Sequence, residues 1–228
     1  MRKIILFFIT MLMVINIQAN NRSSIIYSGK SNDNSIALTF DDGPDPVNTI
    51  KVLDTLKKYD IKATFFLVGQ NVKRYPNIVK RIYDEGHTIG NHSYTHGRFY
   101  KGDKGIISKE IIQTQNVIEE VIGLKPVFFR PPYGAVSKNL IDVCKENNLE
   151  VVNWNVDTED WKKTIKASDL INQIKNINKS NRIILMHTMA HLNKTSEALE
   201  PIIISLVQRG FKLKTLNEIL EIEPYQSN

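Results

Sequence analysis

The chain has 228 residues, of which 42% are hydrophobic and 24% charged, a composition that is typical of a globular protein and excludes a disordered one. Its formal net charge of +6 comes from scattered Lys and Arg residues without a dense basic block, which argues against nucleic acid as a partner. Cys144 is the only cysteine, so an intramolecular disulfide is excluded, and its place on the apolar side of a predicted helix indicates core packing.

The N-terminal residues have the pattern of a secretory signal peptide. A positive start, Met1-Arg2-Lys3, precedes an apolar stretch over residues 4–17, and Ala19 stands at a suitable cleavage position. We predict a signal peptide over residues 1–19, a polar leader over 20–34 and one domain over 35–222. The protein is then exported (secreted, periplasmic or cell-wall associated) and has no stable membrane span after signal removal. An uncleaved N-terminal anchor is the alternative.

After the leader, strand-like and helix-like segments alternate through seven units. Short apolar runs predict the strands, and apolar residues at helical spacing predict the helices. Glycines mark several helix ends, and Ser108 is the predicted N-cap of its helix. The predicted strands are 36–40, 63–68, 88–91, 127–130, 150–156, 182–187 and 211–213; the predicted helices are 47–59, 72–85, 108–122, 137–147, 168–177, 196–209 and 216–222.

This alternation implies parallel strands, arranged in a barrel or in an open doubly wound sheet. Seven short units in about 190 residues favour a reduced barrel over a full eightfold one. The predicted fold class is therefore α/β, a distorted (β/α) barrel with about seven parallel strands. In such folds, functional residues collect at the C-terminal ends of the strands.

The conspicuous polar residues fall at those strand ends. Because the C-terminal ends of parallel strands meet at one edge, we expect these side chains to form one site. They are Asp41 and Asp42 after the first strand, His92 and His96 after the third, Arg130 after the fourth, Asp157 and Asp160 after the fifth, and His187 at the end of the sixth.

A metal site is predicted from two histidines and a neighbouring carboxylate. His92 and His96 are four residues apart, a spacing that suits a divalent metal. With an Asp from another strand end they make two imidazoles and one carboxylate with an open position, as in catalytic zinc sites. One carboxylate of the Asp41-Asp42 pair then has a metal as its counter-charge, and Arg130 is the candidate cation for the other. A metal with a free carboxylate beside it provides an activated water and a base.

Five short motifs occur in order along the chain: TFDDGP at 39–44, HSYTH at 92–96, RPPYG at 130–134, DTEDW at 157–161 and ILMH at 184–187. In this order and at this spacing they resemble the motifs of the NodB-type polysaccharide deacetylases, carbohydrate esterase family 4. The resemblance covers about residues 34–218. It implies the NodB-homology fold and a polysaccharide deacetylase catalytic domain over residues 35–222.

The resemblance also implies a role for each motif residue at the reaction centre. Asp41 is the catalytic base, and Arg130 holds and tunes it. The metal ligands are Asp42, His92 and His96. These assignments agree with the arrangement of metal and free carboxylate expected from the residue types alone.

The later motifs supply the acid and the substrate contacts. By the same resemblance, His187 is the general acid, Asp160 orients it, and the backbone N–H of Tyr133 is the oxyanion donor. Trp161 and Leu185 form the walls of an acetate pocket. The expected substrate-binding set is Trp161, Leu185, Pro131 and Tyr133. The chain departs from the family pattern at Thr188, where the family often carries Asp after the motif histidine.

The implied activity is that of an exported, metal-dependent deacetylase. It would hydrolyse N-acetyl groups of N-acetylglucosamine-containing polysaccharide, peptidoglycan or chitin-like oligomers, and release acetate. The expected metal is Zn²⁺ by ligand type, with Co²⁺ as an alternative, and the expected state is a monomer. Two other functions stay open: an O-acetyl esterase acting on acetylated xylan or exopolysaccharide, and a glycan-binding relative without turnover.

Overall fold

The computed structural model describes residues 25–189 and 193–227, without the side chain of Tyr100. The predicted signal peptide lies outside these residues. The strands are β1 Ser35–Asp41, β2 Thr64–Leu67, β3 Thr88–Asn91, β4 Phe128–Phe129, β5 Glu150–Val151, β6 Val156–Asp157, β7 Arg182–His187 and β8 Lys212–Leu213. The α-helices are α1 Asn48–Lys58, α2 Gly69–Arg74, α3 Pro76–Asp84, α4 Lys104–Ile122, α5 Lys138–Glu146, α6 Ala167–Lys175, α7 Lys194–Gln208 and α8 Leu216–Leu220. In the described part of the chain, no helix is both long enough and apolar enough to cross a membrane.

The strands form one parallel sheet that curls into a half-barrel. Their order is β5-β4-β3-β2-β1-β7-β6, and the short β8 pairs with the start of β1. The two edge strands, β5 and β6, are consecutive in the chain, and residues 152–155 carry the chain from one edge to the other. The predicted distorted (β/α) barrel of about seven parallel strands is therefore confirmed.

Strand β1 runs through the centre of this sheet, and all seven of its residues are buried. Side chains of a strand alternate between its two faces. Ile36, Leu38 and Phe40 belong to the cluster shared with the surrounding helices, whereas Ala37 belongs to a separate cluster inside the barrel. The inward face therefore carries Ala37, then residue 39, then Asp41 at the C-terminal end.

The base of the barrel is filled by apolar side chains. Helix α8 contributes Leu216, Ile219 and Leu220 to the same cluster as Ala37 and Phe66. Replacing a buried leucine with alanine lowers the free energy of unfolding by about 2–5 kcal/mol. The buried leucines of α8 therefore contribute to the stability of the barrel. The apolar filling closes the base of the barrel, opposite the C-terminal mouth where Asp41 lies.

Most elements end within one to three residues of their predicted bounds, and three segments differ by more than this. The predicted helix 72–85 is two helices, because Pro76 begins α3 at its first turn, where its missing N–H costs nothing. Helix α4 begins four residues before the predicted Ser108, capped by Asp103, whose carboxylate accepts a hydrogen bond from the Ile106 N–H at 2.9 Å. The predicted strand 150–156 is divided into β5 and β6, which pair with different neighbours.

The described part of the predicted leader also contacts the barrel. Residues 25–34 pack against its edge and base. Ile26 forms a parallel bridge with Val152 and joins the interior apolar cluster. The Lys30 N–H donates to the carbonyl of Ile219 at 2.8 Å. At the other end, Tyr225 pairs with Pro126, so packed structure also continues past residue 222.

Candidate active site

The two carboxylates after β1 have different surroundings. Asp41 is the last residue of β1 and is 2% exposed. Its Oδ1 accepts a hydrogen bond from Arg130 Nη1 at 2.8 Å, and its Oδ2 lies 3.7 Å from His92 Nε2. Asp42 has a left-handed backbone, φ 73°, which turns the chain out of the strand and gives its side chain a different direction. Asp41 is thus paired with a buried cation, whereas Asp42 faces the histidines.

Arg130 is fully buried, and its donors are used in several directions. Nε donates to the Val152 carbonyl at 3.1 Å, Nη2 donates to the Asn153 carbonyl at 3.2 Å, and Nη1 also donates to Thr39 Oγ1 at 2.8 Å. Burial lowers the pKa of Arg130 while Asp41 raises it, and a guanidinium keeps its charge in proteins. Arg130 therefore fixes Asp41 with a hydrogen-bonded ion pair below the mouth of the barrel.

An aromatic ring supports this guanidinium from the barrel interior. Arg130 Cζ lies 4.1 Å from the ring centre of Phe66. Phe66 fits because its partner on β3 is Gly90, where a Cβ would lie only 2.5 Å from the Phe66 ring. Any side chain at residue 90 would displace the ring on which Arg130 rests.

Asp42, His92 and His96 form a cluster that could hold a metal. Asp42 Oδ1 lies 3.4 Å from His92 Nε2 and 3.1 Å from His96 Nε2, and one potential ligand atom from each residue lies within 4.8 Å of the others. Asp42 Oδ1 is buried without a hydrogen-bond partner, as expected for an atom that serves a cation. His92 Nδ1 lies 2.7 Å from the Arg130 carbonyl, so Nδ1–H donates there and Nε2 is left to bind a metal. The donor set fits a divalent cation.

The loop that carries the second histidine is held in a strained conformation. Ser93 and His96 both have positive φ, 66° and 57°. Such angles are uncommon outside glycine and persist where surrounding bonds enforce them. The Ser93 N–H donates to Asn91 Oδ1 at 2.9 Å, and the His96 N–H donates to Ser93 Oγ at 3.1 Å. These bonds bring His96 back beside His92, which emerges directly after β3.

The charges in the cluster act on one another. Burial would raise the pKa of Asp42, but the hydrogen bond and charge of His92, with the charges of His187 and His96, lower it to about 2. Burial would lower the pKa of His92, but Asp41, Asp42 and the Arg130 carbonyl raise it. Burial and the charge of His92 lower the pKa of His96. Asp42 is therefore a carboxylate at neutral pH, the form that binds a metal.

His187 lies at the end of β7, where it pairs in register with Asp41. Its Nδ1 lies 2.6 Å from Asp160 Oδ1, and its backbone N–H donates to Asp160 Oδ2 at 2.8 Å. Thr195, at the start of α7, also donates its hydroxyl to Asp160 Oδ2. Burial would lower the pKa of His187, but the hydrogen bond and charge of Asp160, with the charges of Asp42 and Asp41, raise it to about 9. His187 is therefore an oriented, protonated imidazole at neutral pH.

The predicted substrate-binding residues lie around this mouth at different depths. Tyr133 has φ 60° and is 55% exposed, and its ring packs edge-on against His96 at 4.9 Å between centres. Pro131 is buried beside it. Trp161 follows Asp160 and is 48% exposed. Leu185 is 3% exposed and shares the inward face of β7 with His187, two residues on.

Several other polar residues have structural surroundings. Asp157 Oδ1 accepts the Glu159 N–H at 2.8 Å and caps a turn. His87 is buried, and its Nδ1 accepts the Ala63 N–H at 3.1 Å.

Cys144 lies in an apolar cluster, and burial raises the pKa of its thiol, so core packing is confirmed. Thr188 is fully buried, and its N–H donates to the Asp41 carbonyl at 3.0 Å. Thr195, which bonds Asp160, is a site residue that the sequence motifs did not reveal.

Comparison with known proteins places these residues in a family. A family profile described as polysaccharide deacetylase matches residues 28–152. The chain is 41% identical over 197 residues to a peptidoglycan-N-acetylglucosamine deacetylase of Bacillus cereus, covering 86% of this chain and 71% of that relative. It is 37% identical over 192 residues to a peptidoglycan-N-acetylmuramic acid deacetylase of Bacillus subtilis, covering 84% of this chain but only 40% of that relative's length.

Solved structures show the same relationship. A crystal structure of a peptidoglycan N-acetylglucosamine deacetylase superposes with a TM-score of 0.85 at 39% identity, covering 89% of this chain and 95% of that chain. A pseudoenzyme of carbohydrate esterase family 4 from Bacillus anthracis superposes with a TM-score of 0.80 at 30% identity, covering 86% of this chain and 69% of that chain. The chain belongs to the polysaccharide deacetylases of carbohydrate esterase family 4, a family of hydrolases.

Proposed function

We propose that the chain is an exported, metal-dependent deacetylase that hydrolyses N-acetyl groups of N-acetylglucosamine residues in peptidoglycan-type polysaccharide and releases acetate. The names of the relatives support the substrate. The observation that carries the proposal is the difference in surroundings between the two carboxylates after β1, Asp41 and Asp42. Asp42 faces two histidines with an unpartnered oxygen, while Asp41 is held by Arg130 with its second oxygen directed toward the same cluster.

The metal would be bound by Asp42, His92 and His96. Two imidazoles and a carboxylate suit Zn²⁺, and Co²⁺ accepts the same donors. A divalent cation in this position supplies Lewis acidity, which polarises a carbonyl and lowers the pKa of a water molecule. The hydrogen bond from His92 Nδ1–H to the Arg130 carbonyl would keep Nε2 unprotonated for this purpose.

Asp41 would act as the general base. It would take the proton of the attacking water, and the hydrogen bond from Arg130 fixes the orientation of the carboxylate. The oxygen that was the acetyl carbonyl becomes negative in the tetrahedral intermediate, and the backbone N–H of Tyr133 would donate a hydrogen bond to it. The strained φ of Tyr133 fits a backbone turn that is shaped for this contact.

His187 would act as the general acid. When the carbon–nitrogen bond breaks, the leaving amine needs a proton, and the protonated His187 can provide it from Nε2 because Nδ1 is engaged by Asp160. The raised pKa of His187 keeps this proton available at neutral pH. Leu185 and Trp161 would enclose the methyl group of the acetyl, and Pro131 with Tyr133 would border the sugar.

Acetate release across a panel of polymers tests the proposal. Purified protein, depleted of metal and reloaded with Zn²⁺ or Co²⁺, is incubated with peptidoglycan, N-acetylglucosamine tetramer and acetylxylan. Acetate is expected from the first two substrates, with loss of activity in Asp41→Asn. Asp157→Asn is a matched control, because it neutralises a nearby carboxylate but keeps an oxygen to cap its turn.

Other outcomes would identify the alternatives. Acetate from acetylxylan alone would make the chain an O-acetyl esterase. Binding of glycan without acetate from any polymer, in protein shown to contain metal, would make it a non-catalytic relative. Export is tested separately, by locating the full-length protein in fractionated cells and by sequencing its N-terminus. Retention in the cytoplasm would contradict the predicted signal peptide.

A further inference from the structure

A cavity of about 320 Å³ opens beside the metal-binding cluster, on the side of α2. Asp42 and His96 form its inner end, and Arg74, the last residue of α2, forms part of its outer wall. The cavity therefore joins the reaction centre to an exposed arginine. A polymer whose acetyl group reaches the reaction centre needs room for a neighbouring part of its own chain, and this cavity begins at Asp42 and His96.

The wall between these two ends is rich in hydrogen-bonding groups. Gln70, Asn71 and Thr95 line it. Asn71 donates its amide to the Asp42 carbonyl at 2.8 Å, which leaves its side-chain oxygen as an acceptor. Thr95 donates its hydroxyl to Glu110 at 2.9 Å. Amide and hydroxyl groups of this kind suit the hydroxyl groups of a sugar better than an apolar ligand.

Arg74 is exposed, and within the described residues, 25–189 and 193–227, it forms no ion pair with a carboxylate. Arg81 and Arg130, by contrast, are both paired with aspartates. Besides Asp42, the cavity wall contains the acidic residue Asp45, which is 5% exposed. It caps the start of α1, where its Oδ1 accepts the Val47 N–H at 3.0 Å. Arg74 is thus available to a ligand.

We propose that this cavity receives a carboxylate-bearing sugar residue adjacent to the reacting N-acetylated sugar, and that Arg74 binds its carboxylate. The proposal rests on the proposed deacetylase function and names the acidic substrate that it prefers. A planar guanidinium matches a carboxylate with two parallel hydrogen bonds. In peptidoglycan, the carboxylate can come from the lactyl group of N-acetylmuramic acid or from the peptide attached to it.

The test compares acidic and neutral substrates of equal length. The neutral substrate is N-acetylglucosamine tetramer, and the acidic substrates are a tetrasaccharide of alternating N-acetylglucosamine and N-acetylmuramic acid, with and without its peptides. KM and kcat are measured for the Zn²⁺-loaded wild type and for the variants Arg74→Gln, Lys73→Gln and Arg98→Gln. Lys73 is the matched control, because it precedes Arg74 on the same helix and is exposed but does not line the cavity.

Arg74→Gln is expected to raise KM for an acidic tetrasaccharide about 10-fold more than for the neutral one, with a smaller change in kcat. High salt should reduce this difference, and Lys73→Gln should leave the KM ratio at the wild-type value. An effect with the peptide-free substrate would identify the lactyl carboxylate, and an effect confined to the peptide-bearing substrate would identify the peptide.

An unchanged ratio in Arg74→Gln, or an equal change in Lys73→Gln, would overturn the assignment. A change seen instead in Arg98→Gln would also overturn it, because Arg98 lies over the ring of Tyr133 rather than in the cavity. Acetate release from the neutral and acidic substrates taken together tests the deacetylase function independently. Its absence from all of them refutes that function, whereas acetate release with an unchanged ratio refutes only the role of Arg74.

Discussion

The buried pair of Arg130 and Asp41 provides a quantitative test of how the site is built. Replacing Arg130 with Met keeps most of the side-chain length but removes the positive charge. Asp41 is then a carboxylate, 2% exposed, without its counter-charge. Removing one partner of a buried ion pair costs about 3–5 kcal/mol, mainly because the remaining charge is left unpaired. The loss also includes bonds from Arg130 to Thr39, Val152 and Asn153.

The corresponding loss in Asp41→Asn should be smaller. Asparagine keeps an oxygen that can accept from Arg130 Nη1, and Arg130 retains its backbone acceptors. We expect about 1–3 kcal/mol for this substitution. The double variant Arg130→Met/Asp41→Asn contains neither charge, so its cost should fall below the sum of the two single costs by about 0.5–3 kcal/mol, the usual range for residues in direct contact.

Urea unfolding of the four proteins measures these free energies. The measurements are made with metal chelated, because a bound cation stabilises the folded state by mass action and would hide the effect. In thermal unfolding, the loss in Arg130→Met corresponds to a decrease in Tm of roughly 6–20 °C for a domain of this size. A loss below about 1 kcal/mol in Arg130→Met, or strict additivity in the double variant, would refute the reasoning that Asp41 depends on this cation.

Further predictions concern metal, catalysis and pH. Asp42→Asn should weaken Zn²⁺ binding by more than about 100-fold, measured by competition with a chromogenic chelator. Asp41→Asn should retain the metal and lose about 10²–10⁴-fold in kcat. Equal metal affinity in the two variants would contradict these separate roles of Asp41 and Asp42. Asp160→Asn should lower the pKa of His187 from about 9 and move the alkaline limb of the pH–rate profile to lower pH, so an unmoved limb would remove Asp160 from this role. Burial is the main cause that lowers the folded-state pKa of His87 from 6.5 to about 4. The folded state therefore favours the neutral imidazole, and this contribution to stability is fully present above pH 6.5. It amounts to roughly 3 kcal/mol and is lost as the pH falls toward 4. Urea unfolding at pH 7 and pH 4.5 should therefore show a smaller loss in acid for His87→Gln than for the wild type, and an equal loss would contradict the prediction.

The sequence predicted the inner framework of the molecule well, because its signals are local. Apolar runs located β1 and β7 to within one residue, and the rule that functional side chains follow strand ends brought Asp41, His92 and His187 to one mouth. Asp41 and His187 are partners in the register of neighbouring strands, which explains why strand ends far apart in sequence meet.

The remaining features depend on contacts that a local pattern does not contain. Residues 150–157 contain no glycine or proline that would mark a break, but the two ends pair with different strands on opposite sides of the sheet, so only the tertiary structure divides them. Thr195 has no motif, and its role arises because α7 begins where Asp160 needs a further donor. Asp103 competes with Ser108 as a cap, and the helix extends to the earlier residue since its added turn buries Ile107.

The position of β1 has a consequence for the order in which the site comes apart. β1 pairs with strands along both edges and is buried on both faces, so its amide protons should exchange with solvent only when the whole domain unfolds. Asp41 belongs to β1, whereas His96 lies in the loop after β3, outside any strand or helix, and depends on fewer contacts of regular structure. In mild denaturant, opening of the His96 loop would therefore release a bound metal ion while Asp41 keeps its native position. The protein would bind the metal again when the loop closes.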